Sequence, residues 1–288
     1  MTRPSKILQS CVLSTAIAFV WLFALQTAVH AGTEINRKLA AKPGGTVRIE
    51  NVSGSVKVAA SNEKEVVVTG TLGTGTKGLR MENKNGAIEI EVQLPKNAKN
   101  VEDSDIVVSV PQSSHLDVNT VSASIQVVGV NGAHHLESVS GDIRLGAVDG
   151  DLVAQTVSGR VEIGDSKGTL KGETTSGSFH LFGSRFDAVT VNSVSGEVGF
   201  DAELSEDGRY DLESISGRVR VNVSEKDSGA FEIHTMSGSI DNDFSGNVVE
   251  EQAGPGKMCE FVLGGGSAKV TISSMSGSVS VARRTARG

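Results

Sequence analysis

The sequence predicts an all-β fold, a single-domain β-solenoid (β-helix-like) of stacked coils with a period of about 18–21 residues. Three observations predict it. A Ser-Gly pair recurs at nearly constant spacing, apolar residues alternate on both sides of each pair, and a small hydroxyl residue stands two positions before each Ser. A repeat of this length is typical of folds in which each repeat forms one coil that packs only on its neighbours.

The Ser-Gly pairs are 18 residues apart at first and 19 to 21 residues apart later in the chain. They are Ser140-Gly141, Ser158-Gly159, Ser176-Gly177, Ser195-Gly196, Ser216-Gly217 and Ser237-Gly238. A catalytic Ser needs a base beside it in one special geometry. Because the same residues return in every coil, we interpret the Ser residues as scaffold and predict no catalytic residue.

Each Ser-Gly pair is expected to lie between two short strands. In one repeat, Val189 and Val191 precede Ser195, and Val198 and Phe200 follow it. Apolar residues two positions apart are typical of a strand with one buried face. The chain must turn a corner between the two strands, and a Gly allows backbone conformations and close approaches that a Cβ would block.

Two further columns of residues come just before each Ser. The preceding residue is mostly apolar, in phase with the second strand and out of phase with the first, which predicts a corner between the two strands. The residue before that has a small hydroxyl, and stacked hydroxyls are expected to hydrogen-bond from coil to coil. These hydroxyl residues are Thr120, Ser138, Thr156, Thr174, Ser193, Ser214, Thr235 and Ser274.

Opposite charges also align between neighbouring coils. Asp142 falls opposite Arg160 and Arg144 falls opposite Glu162 when the repeats are superimposed. We interpret these residues as an outward ladder that fixes the register of the coils, each pair contributing roughly 0.2–1 kcal/mol.

The repeat becomes irregular towards both ends of the predicted domain. An irregular N-terminal part covers 41–115, regular coils cover 116–241, an insertion covers 242–266 and a final coil covers 267–282. Within the N-terminal part, Ser53-Gly54 and Asn85-Gly86 are expected at coil corners, and extra strands are expected at 65–69 and 106–110. A left-handed β-helix is the alternative fold, because 18 residues equal three hexapeptides.

Residues 1–31 are predicted to be a signal peptide, which leaves a domain at 32–288. Arg3 and Lys6 precede an apolar run, and Val29-His30-Ala31 offers a cleavage site. Export to the periplasm or cell surface is expected, with no membrane span after signal cleavage. The remaining 25 basic and 34 acidic residues give a net charge of −9, which excludes nucleic acid as a partner.

Several other residues could suggest a metal-binding or phosphate-binding site, but their patterns do not favour one. His134 and His135 are expected to be exposed turn residues, and Asp149, Asp151 and Asp165 lack the spacing of a calcium-binding repeat. The Gly254-Pro255-Gly256-Lys257 and Gly264-Gly265-Gly266-Ser267 segments do not match a phosphate-binding loop. We therefore predict no metal-binding or cofactor-binding residues and no cofactor. The lone Cys259 is expected to be buried.

The repeated Val-Ser-Gly-x-Val-x-Val units, the Gly264-Gly265-Gly266 run and the export signal together resemble the DUF4097 family of adhesin-like bacterial envelope proteins, over about Ala41 to Ala282. The resemblance implies a fold and a location more than an activity, and it carries over no catalytic residue.

Three functions stay open at this point. The first is a non-enzymatic exported envelope protein that presents a rigid β surface for adhesion or protein interaction. The second is a periplasmic scaffold or sensor that works with an envelope-stress signalling system. The third is a carbohydrate-active β-helix enzyme, against which the absence of a non-repeated acid cluster counts. The expected partner is an envelope or surface protein or a glycan, with end-to-end self-association as a further option.

Overall fold

The computed structural model describes residues 32–97, 100–244, 248–250 and 256–284. The predicted signal peptide at 1–31 lies outside these residues. The described part of the chain contains strands and turns and no helix, and so nothing in it could span a membrane as a helix.

Short parallel strands dominate the fold, and antiparallel strands accompany them at both ends. In chain order, the strands are β1 Thr33–Ala40, β2 Thr46–Asn51, β3 Gly54–Ser61, β4 Glu65–Leu72, β5 Gly78–Lys84, β6 Ala87–Gln93, β7 Ser104–Pro111, β8 His115–Thr120, β9 Ser124–Val128, β10 His134–Ser138, β11 Ile143–Gly146, β12 Asp149–Thr156, β13 Val161–Gly164, β14 Lys167–Thr174, β15 Phe179–Ser193, β16 Glu197–Ser214, β17 Arg218–Val223, β18 Gly229–Thr235, β19 Ser239–Asn242, β20 Val248–Glu250, β21 Lys257–Leu263, β22 Ala268–Ser274 and β23 Ser278–Arg283.

The strands form two parallel columns, and each coil gives one strand to each column. Column A runs in space as β6, β2, β8, β10, β12, β14, β15, β16, β22 and β18. Column B runs as β7, β3, β9, β11, β13, β15, β16, β17, β23 and β19, because the long strands β15 and β16 pass through both columns. This confirms the predicted β-solenoid. Two strands per coil, not three hexapeptide strands, argue against the left-handed β-helix.

The core is a stack of inward apolar side chains from both columns. Val189 and Val191 point inward from column A, Val198 and Phe200 point inward from column B, and all four are at most 3% exposed. Burial of such side chains contributes roughly 1.5–3 kcal/mol each. Tyr210 is also buried, and its hydroxyl donates to the carbonyl of Phe186 at 2.7 Å. The core therefore continues without a break through successive coils.

Spatial order differs from chain order at both ends of the stack. The coil β2–β3 lies between β6–β7 and β8–β9. The later coil β6–β7 is therefore closer to the end of the stack than the earlier coil β2–β3. At the other end, β22–β23 lies between β16–β17 and β18–β19. The segment expected as the final coil is therefore the second-to-last coil in space. Repeat spacing gives chain order alone, which is why the sequence could not predict this insertion.

The N-terminal part differs from the prediction in one turn. Asn85-Gly86 was expected at a coil corner, but both residues have positive φ and close an antiparallel hairpin between β5 and β6. An Asn-Gly pair is a strong signal for such a hairpin. The strands expected at 65–69 and 106–110 are present as β4 and β7, and β7 ends at Pro111.

Antiparallel strands cover exposed edges at the two ends of the stack. At one end, β5 pairs with β6, while β4 pairs with β7 and with β1. At the other end, β21 pairs with β18 and with β20. Near the end of the described residues, Nε of Arg284 lies 2.7 Å from Oδ1 of Asp201. Covered edges disfavour pairing with another chain at these strands.

Candidate functional site

Each coil corner is held by a buried hydroxyl and a glycine. The hydroxyl of Thr174 accepts the backbone N–H of Gly177 at 3.0 Å, and the equivalent bond recurs with lengths of 2.8–3.0 Å in six further coils. The prediction of a hydroxyl ladder bonded from coil to coil is therefore wrong for these residues. Each hydroxyl instead satisfies the backbone of its own corner, as Ser and Thr do in local turns.

The glycine is required by the close approach of the neighbouring coil. A Cβ at Gly177 would lie 1.9 Å from the carbonyl oxygen of Gly159, and a Cβ at Gly196 would lie 1.6 Å from that of Gly177. The Ser before the glycine bonds between coils: Ser216 Oγ donates to the carbonyl of Val194 at 3.2 Å. These contacts give the Ser-Gly pair a structural role at each coil corner.

The apolar residue before each Ser points outward. It was expected in phase with the buried positions of the second strand, but Val157 is 45% exposed and Ile215 is 47% exposed. The inward-outward alternation of column A continues through the buried hydroxyl, and the phase changes one residue later than predicted. We name these side chains the apolar stripe, which runs in space through Val52, Val121, Val139, Val157, Val194, Ile215, Met275 and Met236.

Thr175 interrupts the apolar stripe between Val157 and Val194. A polar column runs beside the stripe on the same outward face, two residues earlier in each coil. In space it consists of Glu137, Gln155, Glu173, Asn192, Glu213, Ser273 and His234. Carboxylates therefore alternate with amides over the first five coils of this series.

The part of the stripe from Val157 to Met236 and the polar column line one groove with a volume of about 890 Å³. Its floor contains the buried hydroxyls, and it extends from Glu137 to Gly256 beside β21. Its lining residues include neither Lys nor Arg. Concave sites with an apolar lining and a few polar groups are the usual places where ligands bind. We therefore take this groove as the candidate functional site.

The outward face of column B carries paired charges, in contrast to the groove. Arg144 lies 3.0 Å from Glu162 in the next coil and 2.9 Å from Asp142 in its own coil. The expected pairing of Asp142 with Arg160 is made through the backbone, since the Asp142 carboxylate accepts the Arg160 N–H at 3.0 Å. This face is a charge ladder, as the sequence predicts, and its charges neutralise one another.

The sequence predicts that His134 lies in an exposed turn, and this prediction is wrong. It begins β10 with its side chain buried, and its ring Nε2 lies 3.0 Å from the carbonyl oxygen of Val130. Burial, and to a smaller extent the nearby His115, lowers the pKa of His134 below its usual value, while the bond to Val130 opposes this. His135 points the other way and is partly exposed. The two rings cannot share a metal ion because neighbouring strand residues face opposite sides.

The other segments considered as sites have structural partners. Asp149 forms an ion pair with Lys167 at 2.9 Å, and Asp151 accepts the hydroxyl of Thr169 at 2.7 Å. Gly264 and Gly266 have positive φ in the turn between β21 and β22. No group of His, Cys, Asp and Glu suited to a metal ion occurs among the described residues. Residues 251–255 lie outside the described part, so the Gly254-Pro255 segment has no structural account.

Cys259 is buried as expected, 1% exposed, and its sulfur lies 3.5 Å from Nδ2 of Asn242. Burial raises the pKa of this thiol, which disfavours the reactive thiolate.

Solved structures of other bacterial proteins have a similar fold. A "putative lipid binding protein" from Parabacteroides distasonis has a similar structure, with a TM-score of 0.56, 16% identity, and coverage of 89% of this chain and 98% of that chain. A "putative adhesin" from Bacteroides fragilis has a TM-score of 0.52, 11% identity, and coverage of 88% and 98%. At these identities, the similarity shows the fold alone. A search of curated proteins finds no match.

The family model described as Toastrack DUF4097 matches residues 45–282. This match covers both columns of the solenoid and the groove between Glu137 and Gly256. The chain therefore belongs to the Toastrack DUF4097 family.

Proposed function

We propose that this chain is an exported, non-enzymatic binding protein of the cell envelope, and that the groove is the surface with which it holds a protein partner. The observation that carries the proposal is the apolar stripe. Large apolar side chains that are about half exposed line up from coil to coil in a patch with an interruption at Thr175, and such patches mark interaction sites. A repeated scaffold presents the patch rigidly, which reduces the entropy lost on binding.

The chemistry of the groove suits binding. The hydroxyls in its floor are already hydrogen-bonded to the coil corners. Its carboxylates recur in several coils beside amides. These features favour recognition along the length of the groove over a reaction at one point.

A photo-crosslinking amino acid placed at 157 or 215 tests the groove as an interaction surface in cells that make the protein. We expect discrete protein adducts from these two positions and none from position 128, because Val128 is 44% exposed but lies outside the groove. Adducts that are equally abundant from all three positions would contradict the proposal.

Protease treatment of intact cells tests the location. Digestion with an intact periplasmic marker would favour adhesion at the surface. Protection until the outer layer is opened would favour a periplasmic scaffold or sensor. Retention of the chain in the cytoplasm would contradict export.

Acyl-chain binding is a second candidate, and the same apolar stripe favours it. One protein of similar fold is described as a "putative lipid binding protein". The carboxylates of Glu137, Glu173 and Glu213 beside the stripe oppose an anionic lipid, however. We therefore favour a protein partner.

A further inference from the structure

We propose that the groove binds one amphipathic α-helix of a partner protein, with Lys or Arg side chains along the edge that meets Glu137, Glu173 and Glu213. This inference rests on the proposed function and specifies its partner. It follows from the backbone, the charge and the spacing of the groove.

The backbone of the groove has no hydrogen bonds to offer an extended peptide. The carbonyl of Val157 accepts the N–H of Ser176 at 2.8 Å, and the carbonyl of Ile215 accepts that of Ser276 at 2.8 Å. The same bond continues through the other coils of the stripe. The groove backbone would not replace the water lost from N–H and C=O groups of an extended peptide, at about 1–3 kcal/mol for each group left unpaired. A helix satisfies these groups internally.

The charge of the groove favours a cationic partner. Glu137 and Glu213 form no ion pair with any described residue, while Glu173 is bonded to Gln155 at 2.9 Å and paired with Lys171 at 2.8 Å. Since Lys and Arg are missing from the lining, the groove carries uncompensated negative charge beside its stripe. A basic edge on the partner supplies the complementary charge and guides its orientation.

The spacing of the carboxylates matches the repeat of a helix. Glu137, Glu173 and Glu213 occur in every second coil, so neighbouring carboxylates are about 9–10 Å apart along the groove at about 4.8 Å per coil. Residues seven apart on a helix are about 10.5 Å apart and lie on one face. Over the seven coils from Glu137 to His234, the groove is about 29 Å long, which fits a helix of roughly 20 residues.

Three labelled peptides of roughly 20 residues test the proposal by fluorescence anisotropy with the full chain. The first has a leucine stripe and lysines seven residues apart, the second has glutamate in place of lysine, and the third carries two central prolines that prevent a helix. We expect the lysine peptide to bind at least about tenfold more tightly than the other two. Circular dichroism should show that it becomes more helical on binding.

Variants of the chain separate the groove from the rest of the surface. Ile215→Asp should weaken binding of the lysine peptide at least about tenfold, and the double variant Glu137→Gln/Glu213→Gln about three- to tenfold. Val128→Asp is the matched control and should leave binding unchanged, since Val128 and Ile215 are similarly exposed. The unfolding midpoint of each variant checks that it is folded.

Several results would overturn the helix proposal. These are equal binding of the lysine and glutamate peptides, equal binding of the proline peptide, equal loss with Val128→Asp, or failure of all three peptides to bind. Palmitate binding that depends on Ile215, without binding of the lysine peptide, would identify an acyl-chain site instead. Position-specific protein adducts from 157 and 215 together with any of these results would leave the proposed function standing and refute the helix alone. Absence of such adducts would refute the proposed function separately.

Discussion

The two outward faces of the coils differ in whether their side chains are paired within the chain. On the column B face, Arg144 binds Asp142 and Glu162, so charges of adjacent coils neutralise each other. On the groove face, Val157 and Ile215 are exposed beside carboxylates that include the unpaired Glu213. Arg144 has charged partners within the chain, whereas the groove face leaves apolar side chains and carboxylates exposed next to each other. Regular repetition alone therefore does not single out a surface as a candidate site, and the comparison selects the face whose exposed apolar side chains and carboxylates repeat without Lys or Arg among the lining residues.

The corner between the two faces gives the largest expected effect. Gly177→Ala should lower the free energy of unfolding by about 3–5 kcal/mol, because the new Cβ would lie 1.9 Å from the carbonyl oxygen of Gly159. Urea denaturation measures the change. The matched control is Gly146→Ala, where a Cβ would meet no atom within 4 Å. Equal destabilisation by both substitutions would show that the corner is not held by close approach.

The hydroxyl behind the groove gives the next largest effect. Thr174→Val should cost about 1–3 kcal/mol, since it leaves the buried N–H of Gly177 without its acceptor. Thr175→Val, at the adjacent exposed position, should leave stability nearly unchanged and should strengthen binding of the lysine peptide by closing the interruption in the stripe. Comparable unfolding midpoints for the two variants would contradict the assignment of the corner bond to Thr174.

His134 makes the interior below the groove face sensitive to pH. Its pKa in the fold is below the unfolded value of 6.5, so the unfolded chain binds more protons as the pH falls through 6.5. The free energy of unfolding should therefore be greatest above pH 6.5 and should decrease below it, until the folded-state pKa is passed. Urea titrations at several pH values measure this slope. His134→Leu should reduce it and His135→Gln should not; an unchanged slope in His134→Leu would rule out this source.

The smallest effects compare the two faces directly. Arg144→Gln should change the free energy of unfolding by only about 0.2–1 kcal/mol, because this ion pair is exposed to solvent, and it should not alter peptide binding. Glu213→Gln should have the reverse pattern, with unchanged stability and weaker binding of the lysine peptide. Weaker binding after Arg144→Gln would mean that the ladder face also takes part.

The sequence predicted the solenoid because the apolar positions around each Ser-Gly pair are buried in every coil. Val189, Val191, Val198 and Phe200 all face inward as expected. It did not predict the groove, because the exposure of Val157 and its equivalents depends on a phase change that shifts by one residue at the corner. A column of large apolar residues next to an unbroken hydroxyl column was the available signal. The prediction for His134 was wrong because its burial depends on contact with Val130 at the preceding turn.

The insertion of β22–β23 constrains how a chain of this kind can change in length. Both strands already have neighbours on both sides, β16 and β18 for β22, and β17 and β19 for β23. A repeat duplicated after β23 would therefore find no open edge on that coil, and β2–β3 is enclosed in the same way at the other end. Duplication within 116–214 meets no such obstacle, because consecutive coils there are also neighbours in space. Each repeat duplicated in this range would lengthen the groove by one coil from the middle, and the two interleaved ends would stay unchanged.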